Sequence, residues 1–363
     1  MAKFTEIFED VTKKGVKIPS NLYLDTGLYP IIDQGQSAIA GYTNKADGLF
    51  FDVPAIIFGD HTRIFKYVEK PCFLGADGVK LLKAKKPNAN HKYLYYALCN
   101  ADIPNTGYNR HFKWLKEVDI PEYSEEEQED IVLKLDKISH LIALRKRQLS
   151  KLDELVKSQF VEMFGDIKTN SKKFASSTLK DICDSYFWIM PQTPRYIENG
   201  EIPYITSKNI KGGRIEFKGC KYISRDDYNI LTKNRDIKSG DFLISMIGTL
   251  GEVSVVQKQD GLFYGQNIFL LRLKKDINSQ YVLSYLTNTD YVKHWWDKCK
   301  NSSTQSYLKS GHITGLKILL PPLSLQQEFA AFVEKVDKLE FKAKASLENL
   351  ETLKKAMMQK YFN

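Results

Sequence analysis

What this chain lacks narrows its chemistry quickly. Its five cysteines are scattered at Cys72, Cys99, Cys183, Cys220 and Cys299, with no CxxC pair. An odd number without a framework spacing argues for reduced thiols in a cytoplasmic setting. The six histidines are equally dispersed and show no zinc-ligand spacing. No apolar run approaches the roughly 18 residues that a membrane-crossing helix needs, and MAKFTEIFED carries no apolar stretch of signal-peptide length. Membrane insertion and secretion are therefore not expected. Phosphate-binding GxxxxGK, dinucleotide-binding GxGxxG, nucleophile-elbow GxSxG and zinc-binding HExxH patterns are all missing. No [DNS]PP[YF] tetrad is present to hold a flipped base, because the only Pro-Pro runs into Leu323. Asp226-Asp227 is read as a solvated turn. No catalytic centre is visible.

What is present points to a polyanion. The 363 residues carry a net charge of +9, most of which falls in 166–323, with a smaller excess in 1–123. A basic surface interleaved with 12% aromatic residues suits nucleic acid.

The chain is also duplicated. Residues 124–165 and 324–363 each follow proline, open on Ser124 or Ser324 as candidate helix caps, and lack an internal helix breaker. Ile131, Leu135, Ile138, Ile142, Leu149, Leu152 and Val156 repeat at alternating steps of four and three. Phe332, Val336, Leu339, Ala343, Leu350, Leu353 and Met357 repeat them at a constant offset. Even the polar interruption is shared, Arg145 in one stripe and Ser346 in the other. A 3.5-residue apolar period predicts two long helices that pair through these stripes, each roughly 60 Å long. Between them, 1–123 and 166–323 echo each other more weakly. KPCFLGADGVKLLK matches GLFYGQNIFLLRL, and NHKYLYYAL matches NSQYVLSYL. Short β-rich runs (52–59, 240–247, 251–257 and 267–273) and helical spacing at 91–100 and 279–288 predict α+β globules. The order is globule (1–123), long helix (124–165), globule (166–323), long helix (324–363).

Several stretches carry a resemblance. KSGDFLISMIGTLGEVSVV at 238–256 with Gln266-Asn267, IPYITSKNI at 202–210, and SSTQSYLKSGHITGLKILLPPLSLQQEFAAFVEKVDKLE at 302–340 resemble a DNA target-recognition domain and its exit into a long helix. YPIIDQGQSAIAGYTN, PAIIFGDHTRIFKYV and FKWLKEVDIPEYSEEEQEDI look like a divergent first copy, with GDHT in place of GTLG. In this order they resemble the specificity subunit of a type I restriction-modification system. The resemblance implies two pseudo-symmetric target-recognition domains separated by antiparallel coiled-coil helices. It implies a non-catalytic, cytoplasmic subunit reading a bipartite, asymmetric double-stranded DNA target. Two modification (methyltransferase) subunits and the restriction (translocase and nuclease) subunits would be its partners. No cofactor would sit in this chain, since S-adenosylmethionine, ATP and Mg2+ would be used on those other subunits. The alternative is the recognition subunit of another restriction or phage-defence methyltransferase system.

Base reading calls for amide, forked or hydroxyl groups on well-held loops. In the first globule the candidates are Gln34, Gln36, His61, Thr62, Arg63, Asn105, Tyr108, Asn109, Arg110 and Lys113. In the second they are Ser207, Lys208, Asn209, Thr249, Gln266, Asn267, Ser303, Thr304, Gln305 and Tyr307. Each competes with a plain turn or cap contact to backbone. Lys211, Arg214, Lys218, Lys221 and Arg225 are candidate phosphate contacts, which position without specifying. The tryptophans are read as core packing.

Overall fold

A computed structural model describes the chain except for residues 76–77, 190–193, 199, 234, 258–261 and 300–306. It divides into two compact units, one of Met1–Gln148 with Ala343–Asn363 and the other of Leu149–Lys342. Each globule thus takes part of both long helices into its own unit.

In the first unit, a four-stranded antiparallel sheet runs in the order Phe8–Asp10, Val79–Ala84, Ala55–Gly59, Phe65–Val68. Its central strand is apolar at almost every position because both faces are covered. Ile56 and Phe58 face a core shared with helix His91–Asn100 and with Ile131, Leu135, Met358 and Phe362 of the long helices. Ala55 and Ile57 face the opposite way, into a second core. A three-stranded sheet, Gly41–Thr43, Tyr29–Ile32, Phe73–Leu74, has its last pair parallel.

The second unit repeats this plan strand for strand. Its four-stranded sheet runs Cys183–Ile189, Ile268–Leu273, Phe242–Ser245, Val253–Val255. Its three-stranded sheet runs Lys221–Ile223, Ile202–Thr206, Tyr264–Gln266, again with the last pair parallel. Phe242 and Ile244 enter one core and Leu243 the other. Helix Ser279–Asn288 takes the place of His91–Asn100, and both are capped alike. Asn90 Oδ1 accepts the Tyr93 N–H at 3.0 Å and Asn278 Oδ1 accepts the Tyr281 N–H at 3.1 Å.

The long helices span Glu125–Phe164 and Leu323–Phe362, 40 residues each. Ser124 caps the first through a capping box: its Oγ accepts the Glu127 N–H at 3.3 Å, and Glu127 Oε2 accepts the Ser124 N–H at 2.9 Å. Gly165, at φ +73°, follows its end. The second helix departs from the expected start. It begins at Leu323, so Ser324 lies within its first turn, and the carbonyl of Pro322 accepts the Gln326 N–H. Within the first unit the helices run antiparallel: the Tyr123 hydroxyl donates to Tyr361 O at 3.1 Å, and Arg145 Nε donates to Ser346 Oγ at 3.1 Å. The two polar interruptions therefore meet each other. Within the second unit Phe160 and Phe164 pack on Phe329, with ring centroids 5.4 and 5.3 Å away.

Two further expectations are corrected. Leu339 and Leu353, read as stripe core, are about half exposed, because a single partner helix covers a narrower band than the apolar stripe occupies. Asp226-Asp227 is not a turn but the first turn of helix Arg225–Leu231, where Ser224 Oγ accepts the Asp227 N–H at 3.0 Å and the two carboxylates suit the helix dipole.

Candidate nucleic-acid interface

In the first unit, four separate segments converge at one rim. The loop after strand Tyr29–Ile32 carries Gln34 and Gln36. The turn after strand Ala55–Gly59 carries His61, Thr62 and Arg63. Gly78 precedes strand Val79–Ala84, and residues 105–111 lead into helix Phe112–Leu115. Strand pairing alone would not lock these tips together; side chains do. The Thr62 hydroxyl donates to Gln34 O at 2.7 Å, and Gln34 Oε1 accepts the His61 N–H at 3.2 Å. Gly78 sits at φ +88°, and a Cβ there would come within 2.7 Å of both Gln34 Nε2 and His61 Cδ2, so only glycine fits. The His61 ring stacks on Tyr108, centroids 4.7 Å apart and planes 9° apart. His61 Nδ1 is 3.2 Å from Asn109 O.

Beneath them lies His111, fully buried, which the sequence reading missed. Its Nδ1 is 2.9 Å from Asp60 O, while Asp60 Oδ1 accepts the Phe112 N–H at 2.7 Å. The available signal was its position between an exposed Arg110 and the apolar FKWL run. A lone polar residue there gives no hint of its partner, 51 residues away.

The candidates sort into two groups. Asn105 Oδ1 accepts the Gly107 N–H at 3.2 Å, Asn109 Nδ2 donates to Thr106 O, and Arg63 Nη1 donates to Ile103 O at 3.1 Å. These side chains shape the loops. Gln36 and Arg110 are exposed, and neither side chain has a partner among the described residues. Tyr108 is exposed beyond its stack, and Lys113 lies 4.9 Å over the Trp114 ring.

The second unit builds the same rim from the corresponding segments. The Thr249 hydroxyl donates to Ser207 O at 3.0 Å, joining the turn after strand Phe242–Ser245 to the segment after strand Ile202–Thr206. The Met246 N–H donates to Asn267 O at 3.1 Å, and Ile247 bridges Tyr307. Gln266 lies beside Thr206 in parallel register. Asn209 is spent internally. Its Oδ1 accepts the Thr206 N–H at 2.8 Å and its Nδ2 donates to Glu216 O at 2.8 Å. Asn267 adopts φ +60°, a left-handed conformation that asparagine tolerates. The side chains of Lys208, Gln266, Asn267 and Tyr307 have no partner among the described residues. Ser303, Thr304 and Gln305 lie outside the described residues.

Of the phosphate candidates, Lys211 pairs with Glu216 at 3.4 Å and Arg225 with Glu201 at 3.3 Å, while Lys221 lies 3.9 Å over the Tyr196 ring. Arg214 and Lys218 are exposed with free cationic ends. Trp296 is core, and Trp295 Nε1 donates to His312 O at 2.8 Å. Among the described residues no group of His, Cys, Asp or Glu could hold a metal ion, and no helix is long and apolar enough to cross a membrane.

Comparison with known proteins adds the following. The family model of the type I restriction modification DNA specificity domain matches residues 1–154 and 171–352. The MjaVIII type I restriction enzyme specificity subunit of Methanocaldococcus jannaschii is 24% identical over 323 residues, covering 79% of this chain and 74% of that one. The EcoR124I/EcoR124II specificity subunit of Escherichia coli is 28% identical over 225 residues, covering 56% of this chain and 53% of that one. Another M. jannaschii relative matches at 29% over 170 residues, only 39% of its own length. Two of these three relatives are thus spanned over less than two thirds of their length. The crystal structure of a type I restriction-modification S subunit from M. genitalium shares the fold, with a TM-score of 0.62 at 17% identity over 100% of this chain and 95% of that one.

Proposed function

Because this chain belongs to the type I restriction-modification DNA specificity family, which matches it over most of its length, we propose that it chooses the DNA sequence on which such a complex acts. One observation carries this reading: on the same sheet plan in both units, a threonine hydroxyl in the turn after one strand of the four-stranded sheet bonds the backbone just after the middle strand of the three-stranded sheet, with different residues around each junction. Two similar platforms with unlike tips suit a split target whose halves differ. In each unit, side chains that brace the rim stand beside side chains left free to bond base edges.

The chain works without a reaction of its own and without a cofactor, in the cytoplasm where the DNA is. Modification subunits docked on it supply S-adenosylmethionine and methylate the target, and restriction subunits supply the ATP- and Mg2+-dependent steps. The test is methylation mapping in cells that carry this chain with its modification subunits. A motif of two unlike halves around an unspecified gap is expected. Exchange of residues 166–320 for those of another family member should change one half and leave the other. A single uninterrupted motif, or both halves changing together, would overturn the reading.

A further inference from the structure

Lys66 belongs to strand Phe65–Val68, where it pairs with Ile57 of the central strand. It is only 8% exposed, a rare state for a lysine unless its charge is matched. Its ammonium reaches beneath the loop that carries Gln34 and Gln36. Nζ donates to Ser37 O at 2.5 Å and lies 3.4 Å from Asp33 Oδ1. The same Asp33 oxygen accepts the Gly35 N–H at 2.8 Å. The loop is pinned on two other sides. Thr62 holds Gln34 O, and Gly75 packs so tightly on Asp33 that a Cβ there would come within 2.4 Å of the Asp33 Cβ. At the tip, Gln36 is exposed and its amide has no partner among the described residues.

A buried ammonium persists only where fixed acceptors replace its water, and here the acceptors belong to the loop itself. Removing the charge would leave the Ser37 carbonyl and the Asp33 carboxylate without their common donor, and the loop would lose its fixed shape. That shape matters because a glutamine amide reads a base only when its donor and acceptor arrive together. Their spacing matches the N6 and N7 edge of adenine in the major groove.

We propose that Lys66 is a positioning residue that holds the loop so that Gln36 reads an A·T base pair in one half of the target. The inference rests on the chain being the sequence-choosing subunit. The test uses the full chain assembled with its modification subunits. Wild type, Gln36→Ala, Lys66→Met and the double variant are compared for binding to the mapped target and to duplexes altered one base pair at a time. Thermal melting is recorded alongside. Gln36→Ala should lose discrimination at one A·T position by roughly 5- to 150-fold, with the other half of the target read as before. Lys66→Met should lose discrimination at that same position, and adding Gln36→Ala to it should cost nothing more there. Unchanged discrimination at every position in Gln36→Ala overturns the proposal, and this exposed substitution is not expected to disturb folding. Uniform weakening in Lys66→Met, with the Gln36→Ala effect simply added on top, overturns it too, since that is what a merely structural lysine would do. A wild-type complex with no sequence preference overturns the underlying reading itself. That outcome is distinct from one in which wild type discriminates and Gln36→Ala does not change it.

Discussion

Asp241 offers a sharp test of how the second unit holds its rim. The residue is 1% exposed and precedes strand Phe242–Ser245, whose far end leads into the turn that carries Thr249. Its carboxylate accepts from Arg272 through two bonds, Nε to Oδ1 and Nη2 to Oδ2, both 2.7 Å, and from the Lys238 N–H at 2.7 Å. Those hydrogen bonds, reinforced by the negative charges of Asp241 and Asp236, hold the Arg272 guanidinium even above its ordinary range. Asp241→Asn keeps the volume but removes the charge and turns an N–H toward one of the donors. Breaking one side of a buried, bidentate pair costs about 3 to 5 kcal/mol. For a unit of this size, each kcal/mol shifts the melting temperature by about 2 to 4 °C, so a fall of roughly 6 to 20 °C follows. The assay is already built into the chain. Of the four tryptophans, Trp188, Trp295 and Trp296 lie in the second unit and only Trp114 in the first. Tryptophan fluorescence on heating therefore reports mainly on the unit that Asp241 braces. A drop of less than about 2 °C would show that the pair is effectively solvated and that the strand is held by packing alone.

Two other outcomes are expected. The His91 imidazole is held below its ordinary pKa chiefly by burial, and its Nε2 is buried without a partner. The unfolded chain thus binds the proton more readily, so the first unit should lose stability as pH falls through about 6.5 toward 5; a flat denaturation midpoint across that window refutes this. Lys218→Ala, which removes a free cation, should reduce the salt dependence of DNA binding by about one phosphate contact, a slope change of roughly 0.9. Lys211→Ala, whose charge is already paired with Glu216, should change it less, and equal effects from both would count against phosphate contact by Lys218.

Local signals carried a good part of the fold. Helices His91–Asn100 and Ser279–Asn288 follow from spacing, and the long helices follow from their period. The interruption shared by Arg145 and Ser346 was legible as a repeat, but its meaning was not. Both odd residues lie near the middle of their helices, so the antiparallel pair brings them opposite each other, where each satisfies the other's polarity. The parallel pairing of Ile31-Ile32 with Phe73-Leu74, which brings the loop after one strand beside the turn after the other, has no local signal at all. It depends on both faces of the central sheet needing cover, a property of the finished core rather than of any segment.

The candidate site shows the same limit at the level of single side chains. Asn209 and Asn267 are the same residue type in similar polar stretches, and sequence alone nominates both. In the fold, Asn209 is buried and spends its amide on Thr206 and Glu216, while Asn267 sits half-buried on a left-handed backbone with its amide left open. Gln36 and Asn109 divide in the same way. What separates a brace from a reader is whether the backbone groups within reach already have partners, and sheet register decides that far from the residue itself. A reader must be unsatisfied in the free protein, since a base edge can replace only water, whereas displacing an internal bond would forfeit it. On the proposed reading the open amides, and not the polar residues as a class, would carry this protein's choice of sequence, so exchanging an open amide should alter the target where exchanging a closed one should only loosen the rim.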